Sequence, residues 1–228
     1  DKLSKNEIDI IFGTHAIFQN KVIFKKLGLI IIDEQHKFGV NQRKKLSDKG
    51  GINCDVLLMT ATPIPRTLTM TIYGDMDISG IYEKPKTRKA IKTYSKLETK
   101  IKDVLEFIKK EINLGNQIFW VCPLIELSKK IDHSSAIKKY QFLEKLFPNQ
   151  VGLLHGKTDA DEKEIILNQF LKKEFQILVS TTIIEVGIDF PNANVIVIEN
   201  ANKFGLSQLH QLRGRVGRGQ KQSTCILM

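Results

Sequence analysis

The chain has 228 residues, 42% hydrophobic and 26% charged, an ordinary globular composition that sets aside disorder and leaves room for one large or two small domains. Thirty-five Lys and Arg against 25 Asp and Glu leave a net charge of +10 and a pI near 9.4, which fits a polyanionic partner such as nucleic acid as well as it fits a merely lysine-rich surface. Three scattered cysteines, Cys54, Cys122 and Cys225, exclude a disulfide framework and a Cys-x-x-Cys metal site and suit a reducing cytosol; no run reaches the ~18 apolar residues of a membrane span, and no signal peptide is visible.

The chain opens at Asp1 without an initiator Met and runs at once into an apolar stretch, as a segment of something longer would. Runs rich in Ile, Leu and Val at 8–12, 27–33, 55–59, 117–121, 176–180 and 194–200 read as fully buried strands. Helical periodicity separates several of them, at 98–112 (Ile101, Leu105, Ile108, Ile112) and at 160–171 (Ile165, Ile166, Phe170). Such alternation predicts an α/β protein with parallel sheets. The stretch YEKPKTRKA, 82–90, lacks apolar periodicity and is the predicted linker, dividing the chain into 1–84 and 85–228. The lysine pairs at 109–110, 129–130, 138–139 and 172–173 read as solvated helix faces, and Trp120 and the cysteines as core.

Chemistry concentrates in four stretches. The strand at 27–33 runs into Asp33 and Glu34, and the C-terminal edge of a parallel sheet is where such folds place their sites. An Asp there can hold Mg²⁺ through its water shell while the following Glu deprotonates an attacking water; two acids at a solvated strand end fit the same residues equally well. The strand at 55–59 leads into TATPIPR, with hydroxyls at Thr60 and Thr62, and that at 176–180 into Thr181, Thr182, Gly187 and Asp189. In SQLHQLRGRVGRG, 207–219, a continuous helix would put Gln211, Arg215 and Arg218 on one face, two guanidinium forks suited to a triphosphate. Gly214 and Gly217 would each cost such a helix about 1 kcal/mol, so something is expected to approach closely there; a basic helix lying on nucleic acid is the plainer alternative. The stretch LLHGKTDADEKE, 153–164, has the Gly-Lys-Thr of a phosphate-binding loop at 156–158, but Val151 stands where that loop needs its first glycine, and four carboxylates crowd the following helix start. Thr158 with Asp161 reads instead as a helix cap and capping box.

DEQH (33–36), TATPIPRTL, STTIIEVGIDFPNANVIVIENA and QLHQLRGRVGRG resemble motifs II, III, V and VI of the superfamily two helicases, in that family's order and spacing. GTHAIF (13–18), DEQHKFGV and FWVCPLIE (119–126) are similar to the branch acting on forked and branched DNA. Transcription-repair coupling translocases share the TATPIPRTL and QLHQLRGRVGRG stretches, but usually carry Glu where Gln35 stands. The resemblance implies two RecA-like parallel-sheet lobes, the first partial, with ATP in the cleft between them. It implies that Asp33 holds Mg²⁺ through water, that Glu34 is the general base, and that His36, Gly187 and Asp189 approach the nucleotide. Gln211, Arg215 and Arg218 would contact the γ-phosphate, and Thr60 and Thr62 would couple phosphate state to motion. DNA would meet Gly13, Thr14 and His15 of the first lobe and Gly156, Thr181 and Thr182 of the second, although the side chains of His15 and His155 fit satisfied core or turn histidines better. The family's P-loop lies upstream of motif II, and nothing before Asp33 matches it. The implied setting is a monomer on branched or forked duplex DNA in the bacterial cytoplasm, at the nucleoid and away from membranes. A nucleic-acid-binding module with a retired ATP site is the alternative from another class.

Overall fold

The apolar runs of the second half of the chain assemble as one parallel sheet. In the computed structural model, which describes residues 2–34, 49–50, 53–60, 77–83, 85, 88–123, 129–181 and 189–228, the chain forms two compact units, Asp1–Ile78 and Ser79–Met228. The division falls ahead of the 84/85 boundary expected from the linker composition.

The second unit contains β3 (Lys92–Ser95), α1 (Ile101–Asn113), β4 (Gln117–Val121), α2 (Lys129–Leu146), β5 (Val151–Leu154), α3 (Ala160–Leu171), β6 (Ile177–Ser180), β7 (Ala193–Ile198), α4 (Leu206–Arg213) and β8 (Thr224–Leu227). The six strands stand in the order β3-β8-β7-β4-β6-β5, and every pairing is parallel. The central strands β4, β6 and β7 are buried at every position. Covered on both faces, they read as unbroken apolar runs instead of alternating ones. Successive side chains point to opposite faces, so Phe119 joins a layer with Phe170, Phe190, Leu212 and Val216, and Trp120 joins one with Val104, Ile108 and Leu143. Phe119 meets Phe190 edge-on at 5.5 Å and Phe170 at 5.3 Å, within the range where aromatic pairs add about 0.5–1.5 kcal/mol each.

In the first unit β1 (Leu29–Ile32) pairs in parallel with β2 (Asp55–Leu58). Ile30 and Ile32 are buried, whereas Leu29, Ile31 and Leu57 on the opposite face are about half exposed. The strand expected at 8–12 is absent: Ile10 and Phe12 are 73% and 93% exposed and the segment is irregular. An apolar run becomes a strand only where a neighbour accepts its backbone hydrogen bonds, and among the described residues β1 and β2 pair with each other alone. Among the described residues no helix is long and apolar enough to cross a membrane.

Burial decides the reactivity of the thiols. Cys122 and Cys225 are buried; burial raises both thiols, and it pushes Cys225 up to about 11 against a small opposing pull from Arg213. At Cys122 the neighbouring Glu199 carboxylate raises the thiol further and accepts its hydrogen bond at 3.5 Å. Cys54 is only partly buried. Alkylation of the native chain at neutral pH is therefore expected to modify Cys54 first, with Cys122 and Cys225 reacting only on unfolding, because the thiolate is the reactive species. Peptide mapping by mass spectrometry checks it, and native labelling of Cys122 at the rate of Cys54 contradicts it.

Candidate functional site

At the C-terminal end of β1 the backbone turns sharply. Glu34 has φ +50, a left-handed conformation that costs a non-glycine residue roughly 1–3 kcal/mol and concentrates at functional sites. Asp33 stabilises the turn by accepting the Glu34 N–H on Oδ1 at 2.8 Å. That bond uses one carboxylate oxygen; the carboxylate is of the kind that could hold a hydrated Mg²⁺, which binds through one or two carboxylates and keeps several waters. The Met59 N–H donates to Ile32 O at 2.8 Å, which brings Thr60 to the neighbouring strand end beside the acids. Gly13 and Thr14 are exposed just ahead of a 3-10 turn, His15–Phe18, where Thr14 stands at the N-cap without a side-chain capping bond. Gln35, His36 and Thr62 lie outside the described residues, as do Thr182 and Gly187 of the second unit, and nothing is described of the His15 side chain.

The arginine stretch is not the continuous helix expected. α4 stops at Arg213, with Gly214 as its C-cap, and the last turn unwinds through bonds from Arg215 N–H to Leu212 O (3.0 Å) and Val216 N–H to Arg213 O (3.4 Å). Arg215 and Arg218 therefore stand on a loop, with Gln211 on the last turn of the helix, and the three do not share one helical face. The glycines are helix stop and turn. Val216 is fully buried, plugging the loop into the aromatic layer, and Gly217 has φ +76, which a side chain tolerates poorly. The close approach comes from the chain itself: a Cβ on Gly217 would lie 3.0 Å from Ile91, and one on Gly219 would lie 2.6 Å from the carbonyl oxygen of Pro191. A backbone oxygen cannot swing aside, so Gly219→Ala is expected to destabilise the second unit by about 2 kcal/mol or more; thermal or urea unfolding measures it, and an unchanged midpoint contradicts it.

This packing places Asp189 beside the loop, with Arg218 Nε 3.8 Å from Asp189 Oδ1. Both side chains are substantially exposed, so the pair contributes at most about 1 kcal/mol and releases easily. The loop precedes β8 and touches the segment that precedes β7, so it lies at the N-terminal edge of the sheet. Gly156 and Thr181 lie at the opposite edge. They follow the adjacent strands β5 and β6, tied by the bond from Thr181 N–H to Leu154 O at 3.3 Å. Thr181 is 4% exposed.

The 155–158 turn closes on itself. Thr158 N–H donates to His155 O (3.0 Å), His155 N–H to Thr158 Oγ1 (3.1 Å) and Lys157 N–H to His155 Nδ1 (3.2 Å). Amides committed in this way cannot wrap a phosphate chain. The expected Thr158 cap is corrected as well: Asp159 is the N-cap of α3, without a side-chain capping bond, because the Thr158 hydroxyl turns back to His155. Lys139 departs from the solvated face expected of it, since it pairs with Glu199 at 2.5 Å and lies 5.2 Å from the centre of the Trp120 ring.

Residues 99–220 match the helicase conserved C-terminal domain and residues 1–71 match the DEAD/DEAH box helicase. The ATP-dependent DNA helicase RecG of Bacillus subtilis (strain 168) is 54% identical over 230 residues, taking in 100% of this chain and 34% of that protein. The ATP-dependent DNA helicase RecG of Thermotoga maritima is 49% identical over 228 residues, covering 99% of this chain and 29% of its own length. The chain thus spans about a third of the length of the curated relatives it matches. A solved structure of RecG bound to a three-way DNA junction superposes with a TM-score of 0.71 at 45% identity, over 99% of this chain and 29% of that one. S. cerevisiae Dbp5 bound to RNA and ADP BeF3 shares the fold, with a TM-score of 0.63 at 20% identity over 93% of this chain and 56% of that one. The acid pair after β1 and the arginine loop after α4 thus stand in a member of the superfamily two helicases, and the chain belongs to that family on its RecG branch.

Proposed function

We propose that this chain is the motor portion of an ATP-dependent DNA helicase that remodels branched DNA such as replication forks and recombination junctions. The observation that carries the reading is an arginine loop, packed by Val216 and set beside Asp189, in a chain that matches the RecG of Bacillus subtilis from end to end. In this reading Asp33 holds Mg²⁺ through water, which supplies neutralisation of the phosphate charge, and Glu34 takes the proton of the attacking water. Arg215, Arg218 and Gln211 receive the γ-phosphate, Asp189, Gly187 and His36 approach the nucleotide, and Thr60 and Thr62 link phosphate state to motion. The C-terminal edge of β5 and β6, with Gly156, Thr181 and Thr182, takes the DNA backbone together with Gly13, Thr14 and His15. The separation of the two edges supports this division of labour, since a nucleotide and a duplex then do not compete for one surface. The working form is proposed as a monomer in the bacterial cytoplasm.

The test in the full-length protein is ATP-dependent unwinding of a three-way junction. Absence of unwinding together with absence of DNA-stimulated ATP hydrolysis overturns the reading. For the chain of 228 residues, binding of a branched duplex is expected to be largely independent of sequence and to weaken by roughly 10²-fold or more between about 50 and about 200 mM salt, through counterion release. Titration at the two salt concentrations checks this. Tight Mg-ATP binding by the same chain would return the 156–158 turn to the role of phosphate site.

A further inference from the structure

Sequence alone gives Arg88 no task beyond the linker. The structure gives it one. Its Nε donates to the Gly217 carbonyl oxygen at 2.9 Å, across 129 positions of sequence, and the Arg88 side chain is partly buried there. Gly217 is the left-handed residue between Arg215 and Arg218, at the point where the bonds that end α4 have run out. Two further contacts seat the same segment: Gln222 Nε2 donates to Ala90 O at 2.6 Å and Lys92 N–H to Ser223 O at 2.9 Å, while Ile91 packs against the Gly217 turn.

We propose that Arg88 is a positioning residue for the arginine loop, fixing the peptide plane after Gly217 and with it the direction in which Arg218 and Arg215 leave the chain. Val216 anchors the loop from below, the Gly219 backbone lies against Pro191, and the Gly217 carbonyl between them is held by one charge-assisted hydrogen bond from Arg88. A guanidinium is suited to this role because its planar donors hold a carbonyl in a set direction, as an ammonium on a flexible stem does not. The proposal rests on the reading of Arg215 and Arg218 as γ-phosphate ligands.

The experiment uses the full-length protein with R88A, R88K, R215A and the R88A/R215A double variant. It measures kcat and KM for DNA-stimulated ATP hydrolysis, melting temperature, and hydrogen exchange of the 213–223 peptide. Loss of a positioning contact is expected to lower kcat about tenfold to a hundredfold in R88A, with KM for ATP within about twofold, faster exchange in the loop, and a smaller loss on top of R215A than in the wild type, because only Arg218 is then left to misplace. R88K is expected to melt as wild type and still lose kcat. If R88A folds poorly, R88K decides alone: native melting with normal kcat overturns the proposal, as does an R88A loss that multiplies with that of R215A. R215A by itself tests the underlying reading, so normal turnover in R215A sinks the finger assignment, whereas normal turnover in R88A beside an inactive R215A sinks only the role of Arg88.

Discussion

Glu34→Gln in the full-length protein is expected to leave ATP binding intact and to lower DNA-stimulated hydrolysis by about 10²- to 10⁴-fold, the range a positioned general base supplies. The amide has the shape of the carboxylate but cannot take a proton from water. The backbone contributions survive the change: the left-handed φ of +50 is no costlier for Gln than for Glu, and the Asp33 Oδ1 bond to the residue-34 N–H at 2.8 Å does not involve the substituted side chain. Binding and chemistry therefore separate cleanly in this variant. Equilibrium titration with labelled ATP and steady-state phosphate release measure the two parts, and hydrolysis within a few-fold of wild type would remove Glu34 from the role of base.

What the sequence made legible follows from how each element is stabilised. β4, β6 and β7 announce themselves because strands covered on both faces need apolar residues at every position, and α1 because Ile101, Leu105, Ile108 and Ile112 recur at helical spacing, although the side chains it buries fully are Ile108 and Val104. β3, with its sequence KTYS exposed at each residue, carries no such signal; it exists because β8 offers a partner in register, Lys92 against Thr224. The reverse error at 8–12 has the same cause, an apolar run without a pairing neighbour among the described residues. The arginine loop was legible as a family motif but not as conformation. Its residues match a helicase motif, yet spacings of three and four suggest a helix, and a stop signal was present: a basic last turn, His210 to Arg213, followed by Gly214. The Arg88 contact left no local trace, because nothing in residues 85–90 encodes a carbonyl 129 positions away. Long-range hydrogen bonds to backbone are set by the assembled sheet, and it is β3 beside β8 that carries Arg88 to the loop.

Arg215→Lys and Arg218→Lys are each expected to reduce turnover by about two to four orders of magnitude, since a finger arginine contributes roughly 10³–10⁵ and lysine keeps only its charge. Their surroundings make the two variants differ. Arg215 is half-buried beside the buried Val216, and its loss is expected to fall on kcat with little change in KM for ATP. Arg218 is more exposed and has Asp189 within 3.8 Å of its Nε, a weak pair that holds the side chain near the loop until a more highly charged anion takes it. Lysine at 218 has no Nε to meet Asp189 and lacks the fork for a phosphate, so both resting place and target are altered, and KM for ATP should rise as kcat falls. Asp189→Asn supplies the control: if Asp189 only parks Arg218, turnover in that variant falls far less than in Arg218→Lys. Steady-state kinetics at saturating branched DNA distinguish these cases. Near-normal turnover in both lysine variants, with a DNA affinity that drops equally for every sequence tested, would instead make the loop a plain phosphate-backbone contact.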